Sequence, residues 1–269
     1  MTIQELLAAT KQIDAADAEI LLAHVLDIRR EDLLADSTRE LTDGELACFR
    51  EFVSWRADGQ PVAQITNKKE FYGLEFFIDE GVLIPRPETE LLVEEVLKSI
   101  EGEGQRLLEV GTGSGCIAIS LKKSAPDLQI TATDISEGAL AVARQNASQH
   151  EVAIDFQLAD LMDELEGDWG IIVANLPYIA EDDPELEEAV RQHEPEIALF
   201  AAEDGLQLIH KLLEQVAARE KQPQLILLEH GARQGDATRT LAGQLFPEAT
   251  IETIQDLAGL DRILKIQLN

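Results

Sequence analysis

The sequence predicts an α/β protein with a mostly parallel, doubly wound sheet, preceded in the chain by a small all-α bundle and a β-hairpin linker. Three observations lead to this prediction. From residue 105 onward, short apolar runs of strand length alternate with stretches of helical periodicity. The first 60 residues show helical periodicity only, and short alternating runs follow them. Strands that alternate with helices form parallel sheets, whose ligands bind at the carboxyl ends of the strands.

The chain before the sheet is interpreted as two parts. Residues 1–60 carry apolar side chains at helical spacing in three places, and a Gly-Gln-Pro breaker ends this predicted bundle. Residues 61–86 predict a linker with two short strands and a turn at the Gly81 end. A helix is predicted to begin near Pro87, because proline is tolerated in the first turn of a helix.

Residues 87–269 form the third predicted domain. Five short apolar runs predict the parallel strands, and two alternating runs predict a terminal hairpin. Ser136 is the predicted N-cap of the helix that follows the second strand. The predicted strands cover residues 106–110, 129–133, 153–156, 170–174, 225–229, 250–254 and 262–268.

Composition narrows the classes of partner. The chain of 269 residues carries a formal net charge of −30, which repels phosphate backbones and counts against a nucleic-acid substrate. Cys48 and Cys116 fit neither a disulfide framework nor a zinc site, and the five histidines lack metal-ligand spacing. No apolar run approaches the ~20 residues of a membrane span, and the N-terminus has no signal-peptide pattern. We expect a cytoplasmic monomer that binds no metal, membrane or nucleic acid.

A glycine-rich loop follows the first predicted strand of the sheet. Gly111-Thr112-Gly113-Ser114-Gly115 opens a helix, and Glu109 lies two residues before the first glycine. The dinucleotide loop, Gly-x-Gly-x-x-Gly, has a different spacing and receives a pyrophosphate. A carboxylate beside the loop suits a ligand that carries an ammonium group. S-adenosyl-L-methionine has an amine, a sulfonium and no phosphate, so we interpret the loop as its site; a tight turn without a ligand is the alternative.

Acidic residues follow the second and third strands. Asp134 lies 19 residues beyond Gly115, where a carboxylate accepts hydrogen bonds from ribose hydroxyls, and Ile135 is predicted to contact the cofactor beside it. The alternative role of Asp134 is to cap the next helix. Asp160 is predicted to accept a hydrogen bond from the adenine amine while Leu161 packs on the ring.

Asn175-Leu176-Pro177-Tyr178 follows the fourth predicted strand. Methyl transfer to an amide or aromatic amine needs a nitrogen lone pair aimed at the sulfonium methyl, although that lone pair is normally delocalised. The Asn175 side-chain oxygen and the Leu176 carbonyl are the candidate acceptors for the NH2 hydrogens. Pro177 restricts Leu176 to extended geometry, and Tyr178 offers an aromatic wall. The motif predicts catalysis by alignment and preorganisation; a plain turn after a strand is the alternative.

With these residues the chain resembles the HemK/PrmC family, the protein-glutamine N5-methyltransferases that act on peptide chain release factors. The likeness covers most of the length. One departure is Leu176, where the family usually has proline in Asn-Pro-Pro-Tyr. The segments that carry the likeness are Glu70–Leu74, Val82–Glu90 with its Pro-Arg-Pro-Glu-Thr-Glu signature, Gly111–Ala118, His193-Glu194-Pro195, Ala198–Phe200, Glu203–Leu206, Asp256–Gly259 and Asp261-Arg262.

The resemblance implies a Rossmann-like, seven-stranded class I S-adenosylmethionine-dependent methyltransferase domain. It implies transfer of the methyl group to the side-chain amide N5 of the glutamine in the Gly-Gly-Gln motif of class 1 release factors. The helical bundle is then expected to help bind the release factor. We expect substrate contacts from Arg86 and from residues 175–178, with Asn175 contacting the cofactor as well.

Other functions remain open at this stage. An adenine-N6 methyltransferase acting on DNA or RNA shares the loop and the Asn-x-Pro-Tyr logic, and the net charge counts against it. A sister group of the family methylates a glutamine of a large-subunit ribosomal protein. A non-enzymatic binder of an adenosyl ligand would leave the motif at residues 175–178 without a role.

Overall fold

The chain folds into two compact units. The first comprises Met1–Lys68 with Glu187–His193, and the second comprises Lys69–Leu186 with Glu194–Asn269. A computed structural model describes residues 1–100, 102, 104–181, 183 and 188–268.

Helices and strands are numbered in chain order. The helices are α1 (Ile3–Ala9), α2 (Ala15–Leu26), α3 (Arg30–Ala35), α4 (Asp43–Ala57), α5 (Val62–Thr66), α6 (Glu90–Ser99), α7 (Cys116–Ser124), α8 (Glu137–Gln149), α9 (Glu188–His193), α10 (Glu196–Leu199), α11 (Gln207–Ala217) and α12 (Gly235–Leu245). The strands are β1 (Lys68–Phe71), β2 (Leu74–Phe77), β3 (Arg106–Val110), β4 (Gln129–Asp134), β5 (Asp155–Leu158), β6 (Ile171–Ala174), β7 (Leu225–Glu229), β8 (Thr250–Gln255) and β9 (Asp261–Gln267).

The first unit is helical because its apolar residues recur on helix faces. Thr2 and Thr42 begin α1 and α4 with capping boxes, in which each threonine and the glutamate three residues later satisfy one another's backbone N–H groups. Leu21 and Leu22 of α2 are fully buried at the centre of the core. Helices α3 and α5 were not predicted, because each spans only six residues or fewer and shows little periodicity.

Strands β1 and β2 pair as a two-stranded sheet. The turn between them lies at Tyr72-Gly73, and both residues have positive φ, 51° and 71°. Two such residues form the tight turn that matches strand twist. The predicted turn at Gly81 was therefore wrong. Asp79 accepts a hydrogen bond from the Gly81 N–H at 2.9 Å and so closes a local turn outside the strands.

Within the described residues, the second unit contains a seven-stranded sheet with the order β5-β4-β3-β6-β7-β9-β8. The first five strands in that order are parallel, and β9 runs antiparallel to both of its neighbours. Strands β6 and β7 are buried along their whole length, as expected for parallel strands covered on both faces. This is the predicted mostly parallel, doubly wound sheet with its terminal hairpin.

The order in which strands are added reverses between β3 and β6, because β4 and β5 extend the sheet to one side of β3, and β6 and β7 extend it to the other. A crevice forms at such a switch point, outside the carboxyl ends of the strands.

Strand β5 begins two residues later than the predicted run at 153–156, because the edge strand takes its register from β4 and pairs Asp155 with Thr131. In the described part of the chain, no helix has the length and hydropathy that a membrane crossing needs.

Candidate active site

A cavity of about 430 Å³ opens at the switch point between β3 and β6. Loops at the carboxyl ends of β3, β4, β5 and β6 contribute to its wall, and the sequence predicted ligand contacts from each of these loops. The predicted site residues that line the cavity are Arg86, Gly111, Thr112, Gly113, Ser114, Asp134, Ile135, Asp160, Leu161, Asn175, Leu176 and Pro177.

The glycine loop runs along the cavity wall between β3 and α7. Gly111 has a φ of +74°, and a Cβ added there would lie 3.0 Å from the Leu176 Cδ2 atom. Gly113 has a φ of +54°, and a Cβ there would meet no atom within 4 Å. The first glycine thus allows the loop to pack on the Asn-Leu-Pro-Tyr motif. The second leaves open space for a ligand next to the backbone.

Asp134 connects the loop to the end of β4. Its Oδ2 atom accepts a hydrogen bond from the Gly113 N–H at 2.9 Å, and Oδ1 accepts one from the Ser136 N–H at 2.9 Å. Burial raises the pKa of Asp134. Ser136 is confirmed as the N-cap of α8, since its hydroxyl accepts from the Ala139 N–H at 3.2 Å. The carboxylate therefore both caps locally and lines the cavity.

Glu109 lies behind the loop, and neither it nor Gly115 lines the cavity. Its Oε2 atom accepts hydrogen bonds from the Thr112 hydroxyl at 2.8 Å and from the Ala118 N–H at 3.2 Å. Burial raises the pKa of Glu109 to about 8, with a smaller contribution from Asp134. The carboxylate thus joins the loop to the first turn of α7, and the expected ammonium contact stays a prediction.

Asp160 and Leu161 form the wall beyond β5. Lys211 of α11 places its Nζ atom 2.6 Å from Asp160 Oδ2, and this ion pair was not predicted because no motif marks Lys211. Leu161 has a φ of +57°, and its carbonyl accepts from the Thr133 hydroxyl at 3.2 Å. These contacts hold an acidic and an apolar side chain next to each other at the cavity.

Asn175 stands at the carboxyl end of β6. Its Nδ2 atom donates to the Thr89 hydroxyl at 3.1 Å, so the oxygen end of the amide remains available as an acceptor. Leu176 is buried and packs against Gly111. Tyr178 does not line the cavity. Its ring packs on the apolar core, and its hydroxyl donates to Glu229 Oε1 at 3.1 Å. The expected aromatic wall at Tyr178 stays a prediction.

Glu229 ends β7 and is 1% exposed. Burial raises its pKa, against the lowering effects of the Thr89 and Tyr178 hydroxyls and of the Arg262 guanidinium. Burial and the Glu229 charge raise the pKa of Tyr178. His230 is fully buried, and its Nδ1 atom lies 2.9 Å from the Gly231 carbonyl oxygen, away from the cavity wall.

Arg86 is held at the cavity by a buried acid. Its Nη2 atom lies 2.5 Å from Glu194 Oε1, and Glu194 Oε2 accepts from the Ile84 N–H at 3.1 Å. The Glu194 side chain is only 1% exposed, whereas the Arg86 side chain is 32% exposed. The pairing fixes the direction of the guanidinium, whose remaining donors can reach a ligand.

Sequence reasoning assigned no role to Thr89, Glu194 or Glu229. Thr89 and Glu194 lie inside segments that carry the family resemblance, which was the available signal. Glu229 showed only as the polar end of an apolar strand. The described residues include no group of three or more histidine, cysteine or acidic side chains suited to a metal ion.

Comparison with known proteins identifies the family. The Methyltransferase small domain matches residues 86–193, and the PrmC N-terminal domain matches residues 2–66. The release factor glutamine methyltransferase of Neisseria gonorrhoeae is 39% identical over 267 residues, which cover 98% of this chain and 96% of that protein. The release factor glutamine methyltransferase of Chlorobaculum tepidum is 39% identical over 270 residues, which cover 94% of this chain and 91% of that protein.

This chain belongs to the release factor glutamine methyltransferase family. Among solved structures, a methyltransferase from Pyrococcus furiosus superposes with a TM-score of 0.55 at 16% identity, covering 81% of this chain and 96% of that chain. That likeness shows the shared fold. The predicted family and the predicted cofactor, S-adenosyl-L-methionine, are confirmed for this methyltransferase.

The cavity of this family member suits S-adenosyl-L-methionine by its chemistry. Asp134 and Asp160 supply carboxylates at the ends of β4 and β5, where ribose hydroxyls and the adenine amine need acceptors. Ile135 is 54% exposed, and with Leu161 it offers apolar surface for the adenine ring. The open space at Gly113 allows the ligand to approach the backbone closely.

Proposed function

We propose that this enzyme transfers a methyl group from S-adenosyl-L-methionine to the side-chain amide N5 of the glutamine in the Gly-Gly-Gln motif of class 1 peptide chain release factors. The observation that carries the proposal is the fixed orientation of Asn175. Its nitrogen end is bonded to Thr89 at 3.1 Å, which leaves its oxygen end for an incoming NH2 group. Relatives at 39% identity carry the name release factor glutamine methyltransferase.

The cofactor, when bound, supplies an electrophilic methyl group on a sulfonium. The protein has to hold an amide nitrogen whose lone pair is normally delocalised into the carbonyl group. In the proposed mechanism, the Asn175 oxygen and the Leu176 carbonyl accept the two hydrogens of the glutamine NH2 group. Pro177 keeps Leu176 extended, which fixes the direction of its carbonyl. Alignment and preorganised acceptors are the main catalytic effects.

Leu176 in place of the family's usual proline fits this mechanism. The proposed acceptor at that position is a main-chain carbonyl, which both residues possess. The leucine side chain is 4% exposed and packs on Gly111, so that packing substitutes for the rigidity of a proline ring. The acceptor geometry is thereby kept.

Arg86 is the proposed contact for the backbone of the substrate loop. A guanidinium has five N–H donors, and Glu194 engages one side of this one. The remaining donors suit the carbonyl groups of a glycine-rich peptide. No strong base is required, because the methylated nitrogen loses a proton readily to water.

The proposal includes the organisation of the whole chain. Residues 1–60 form the helical part that helps bind the release factor, residues 61–86 the linker, and residues 87–269 the catalytic domain. Because release factors act on cytoplasmic ribosomes, we propose a cytoplasmic, monomeric enzyme without direct contact to nucleic acid.

Isotope transfer tests the proposal. The protein is incubated with S-adenosyl-L-methionine carrying a labelled methyl group, together with a release factor, and the Gly-Gly-Gln peptide is analysed by mass spectrometry. We expect one labelled methyl on the glutamine, and none on a matched release factor that has asparagine at that position. Large-subunit ribosomal protein, DNA and RNA are offered in parallel. Label on one of these and not on the release factor would contradict the proposal.

A further inference from the structure

We propose that Glu229 is a positioning residue for methyl transfer, which holds Tyr178 and, with it, the motif at residues 175–178 that carries the Asn175 amide. The inference rests on the proposed function and assigns it a residue outside the cavity wall. Glu229 and Asn175 end neighbouring strands, since Ala174 of β6 pairs with Leu228 of β7. The two side chains therefore leave the sheet next to each other.

The first contact fixes the end of the catalytic motif. The Tyr178 hydroxyl donates to Glu229 Oε1 at 3.1 Å. The main chain of the same tyrosine is held as well, because Gln234 Nε2 donates to the Tyr178 carbonyl at 2.9 Å. Both ends of Tyr178 are thus anchored, and Asn175 lies only three residues earlier in the chain.

The Asn175 amide at the start of the motif is held by Thr89, which is 2% exposed. Its hydroxyl oxygen accepts from Asn175 Nδ2 at 3.1 Å. A hydroxyl that accepts in this way keeps its own proton for another acceptor. The Thr89 hydroxyl also lowers the pKa of Glu229. Thr89 therefore holds the first residue of the motif, and Glu229 holds its last residue.

Arg262 compensates the buried carboxylate. Its Nε and Nη2 atoms lie 3.2 and 3.0 Å from Asp256 Oδ2, and its charge lowers the pKa of both Glu229 and Tyr178. The arginine side chain is 15% exposed, so solvent screens it little. A buried carboxylate without such a partner is costly.

The position of Glu229 is otherwise suited to an apolar residue. The four residues before it in β7 are buried and apolar. A glutamate there loses hydration, and what it gains is the hydrogen bond from the Tyr178 hydroxyl at the end of the motif. It does not line the cavity, so we assign it positioning and not contact with the substrate.

Turnover and spectroscopy together test this role. Glu229→Ala is compared with Glu229→Gln, which keeps an acceptor for Tyr178, and with Glu95→Ala as the control. Glu95 is a buried carboxylate of α6 that pairs with Lys98 and Lys265. We expect Glu229→Ala to lower kcat by ~10- to 100-fold at unchanged cofactor Kd, as a misplaced group does, and Glu229→Gln to restore most of it. Glu95→Ala should leave kcat unchanged.

A double-mutant cycle and an NMR signal make the outcome decisive. In Tyr178→Phe, the further change Glu229→Ala should cost less than it does in the parent, because the shared contact has gone. The side-chain NH2 signals of Asn175, assigned with Asn175→Asp, should shift in Glu229→Ala and not in Glu95→Ala. Additive effects on kcat with unshifted Asn175 signals would overturn the role. Where Glu229→Ala fails to fold, unchanged kcat and unshifted Asn175 signals in Tyr178→Phe, which removes the same contact, would overturn it.

Measurements on the parent protein distinguish a failure of the proposed function from a failure of the positioning role of Glu229. Absence of transfer to the release factor by the parent contradicts the proposed function, whereas the Asn175 signals still report on Glu229. Transfer by the parent, with full turnover in folded Glu229→Ala, contradicts the positioning role alone.

Discussion

The side-chain nitrogen of Asn175 donates a hydrogen bond to the Thr89 hydroxyl across 3.1 Å, although the two residues are 86 positions apart in the chain. Thr89 precedes α6 and Asn175 follows β6, so this bond joins two segments that only the tertiary fold brings together. The bond decides which end of the amide is left for a substrate.

Replacing Asn175 removes one of the two proposed acceptors. Asn175→Ala should lower kcat by at least ~100-fold, which is typical for loss of one preorganised hydrogen-bonding group, and should change the Kd of S-adenosyl-L-methionine little. Steady-state kinetics with a release factor and calorimetric titration of the cofactor measure the two effects. Retained turnover would exclude Asn175 from the mechanism.

Thr89 acts on turnover through the orientation of that amide. Thr89→Val keeps the shape and removes the hydroxyl, so Asn175 can rotate, and we expect kcat to fall by roughly 10-fold because alignment is lost. Thr89→Ser retains the hydroxyl and is the matched control. Equal kcat values for the valine and serine variants would show that the hydrogen bond has no part in catalysis.

Gly111 is required by its conformation and by its contact. In Gly111→Ala, the new Cβ would lie 3.0 Å from Leu176 Cδ2 at a φ of +74°. We expect cofactor affinity to fall at least ~10-fold, with destabilisation of ~1–2 kcal/mol, since alanine is strained at positive φ. Gly104→Ala is the control, because Gly104 shares the φ of +74° and a Cβ there meets no atom within 4 Å. Similar cofactor affinities in both variants would refute the contact.

Glu109 gives the stability of the protein a pH dependence of known sign. Its pKa is raised in the folded state to about 8, so the folded protein binds more protons than the unfolded chain between the two pKa values. Each unit of difference corresponds to about 1.4 kcal/mol, and stability should be lost as the pH rises from ~5 to ~8.

Glu109→Gln removes that titration and tests the prediction. Chemical denaturation at pH 5.5 and pH 8 gives the free energy of unfolding of both proteins. The loss between the two pH values should be smaller in the variant. Other buried acids that do not interact with Glu109, such as Glu229, contribute equally to both proteins and cancel in the comparison. An equal loss in both would place the pKa of Glu109 near its ordinary value.

Much of the fold follows from the sequence because hydrophobic periodicity reports burial directly. Strands β3 and β7 coincide with their predicted ranges, since parallel strands covered on both faces are continuous apolar runs. The edge strand β5 was displaced by two residues, because its side chains are only partly buried and its register comes from pairing. The turn at Tyr72-Gly73 was missed since tyrosine rarely adopts positive φ.

The candidate site was predictable where residues are close in sequence. The glycine loop and the Asn-Leu-Pro-Tyr motif are contiguous in sequence and could therefore be recognised, and Asp134 could be predicted from its place at a strand end. Contacts such as Arg86 with Glu194, 108 positions apart, depend on tertiary packing. Tyr178 shows the same limit. Its aromatic side chain suggested stacking, whereas the partner of its hydroxyl, Glu229 at the end of the neighbouring strand, is evident only from the structure.

Strand order also sets a sequence of events during synthesis. Strand β9 lies between β7 and β8, so β7 has an unpaired edge until residues 261–267 have left the ribosome. The loop at Gly111 and its partner Asp134 are translated long before that moment, and Arg262 comes with the late strand. A nascent chain can therefore form the loop at Gly111 and its contact with Asp134 early. The buried Glu229 carboxylate, in contrast, lacks Arg262 until β8 and β9 have paired with the edge of β7.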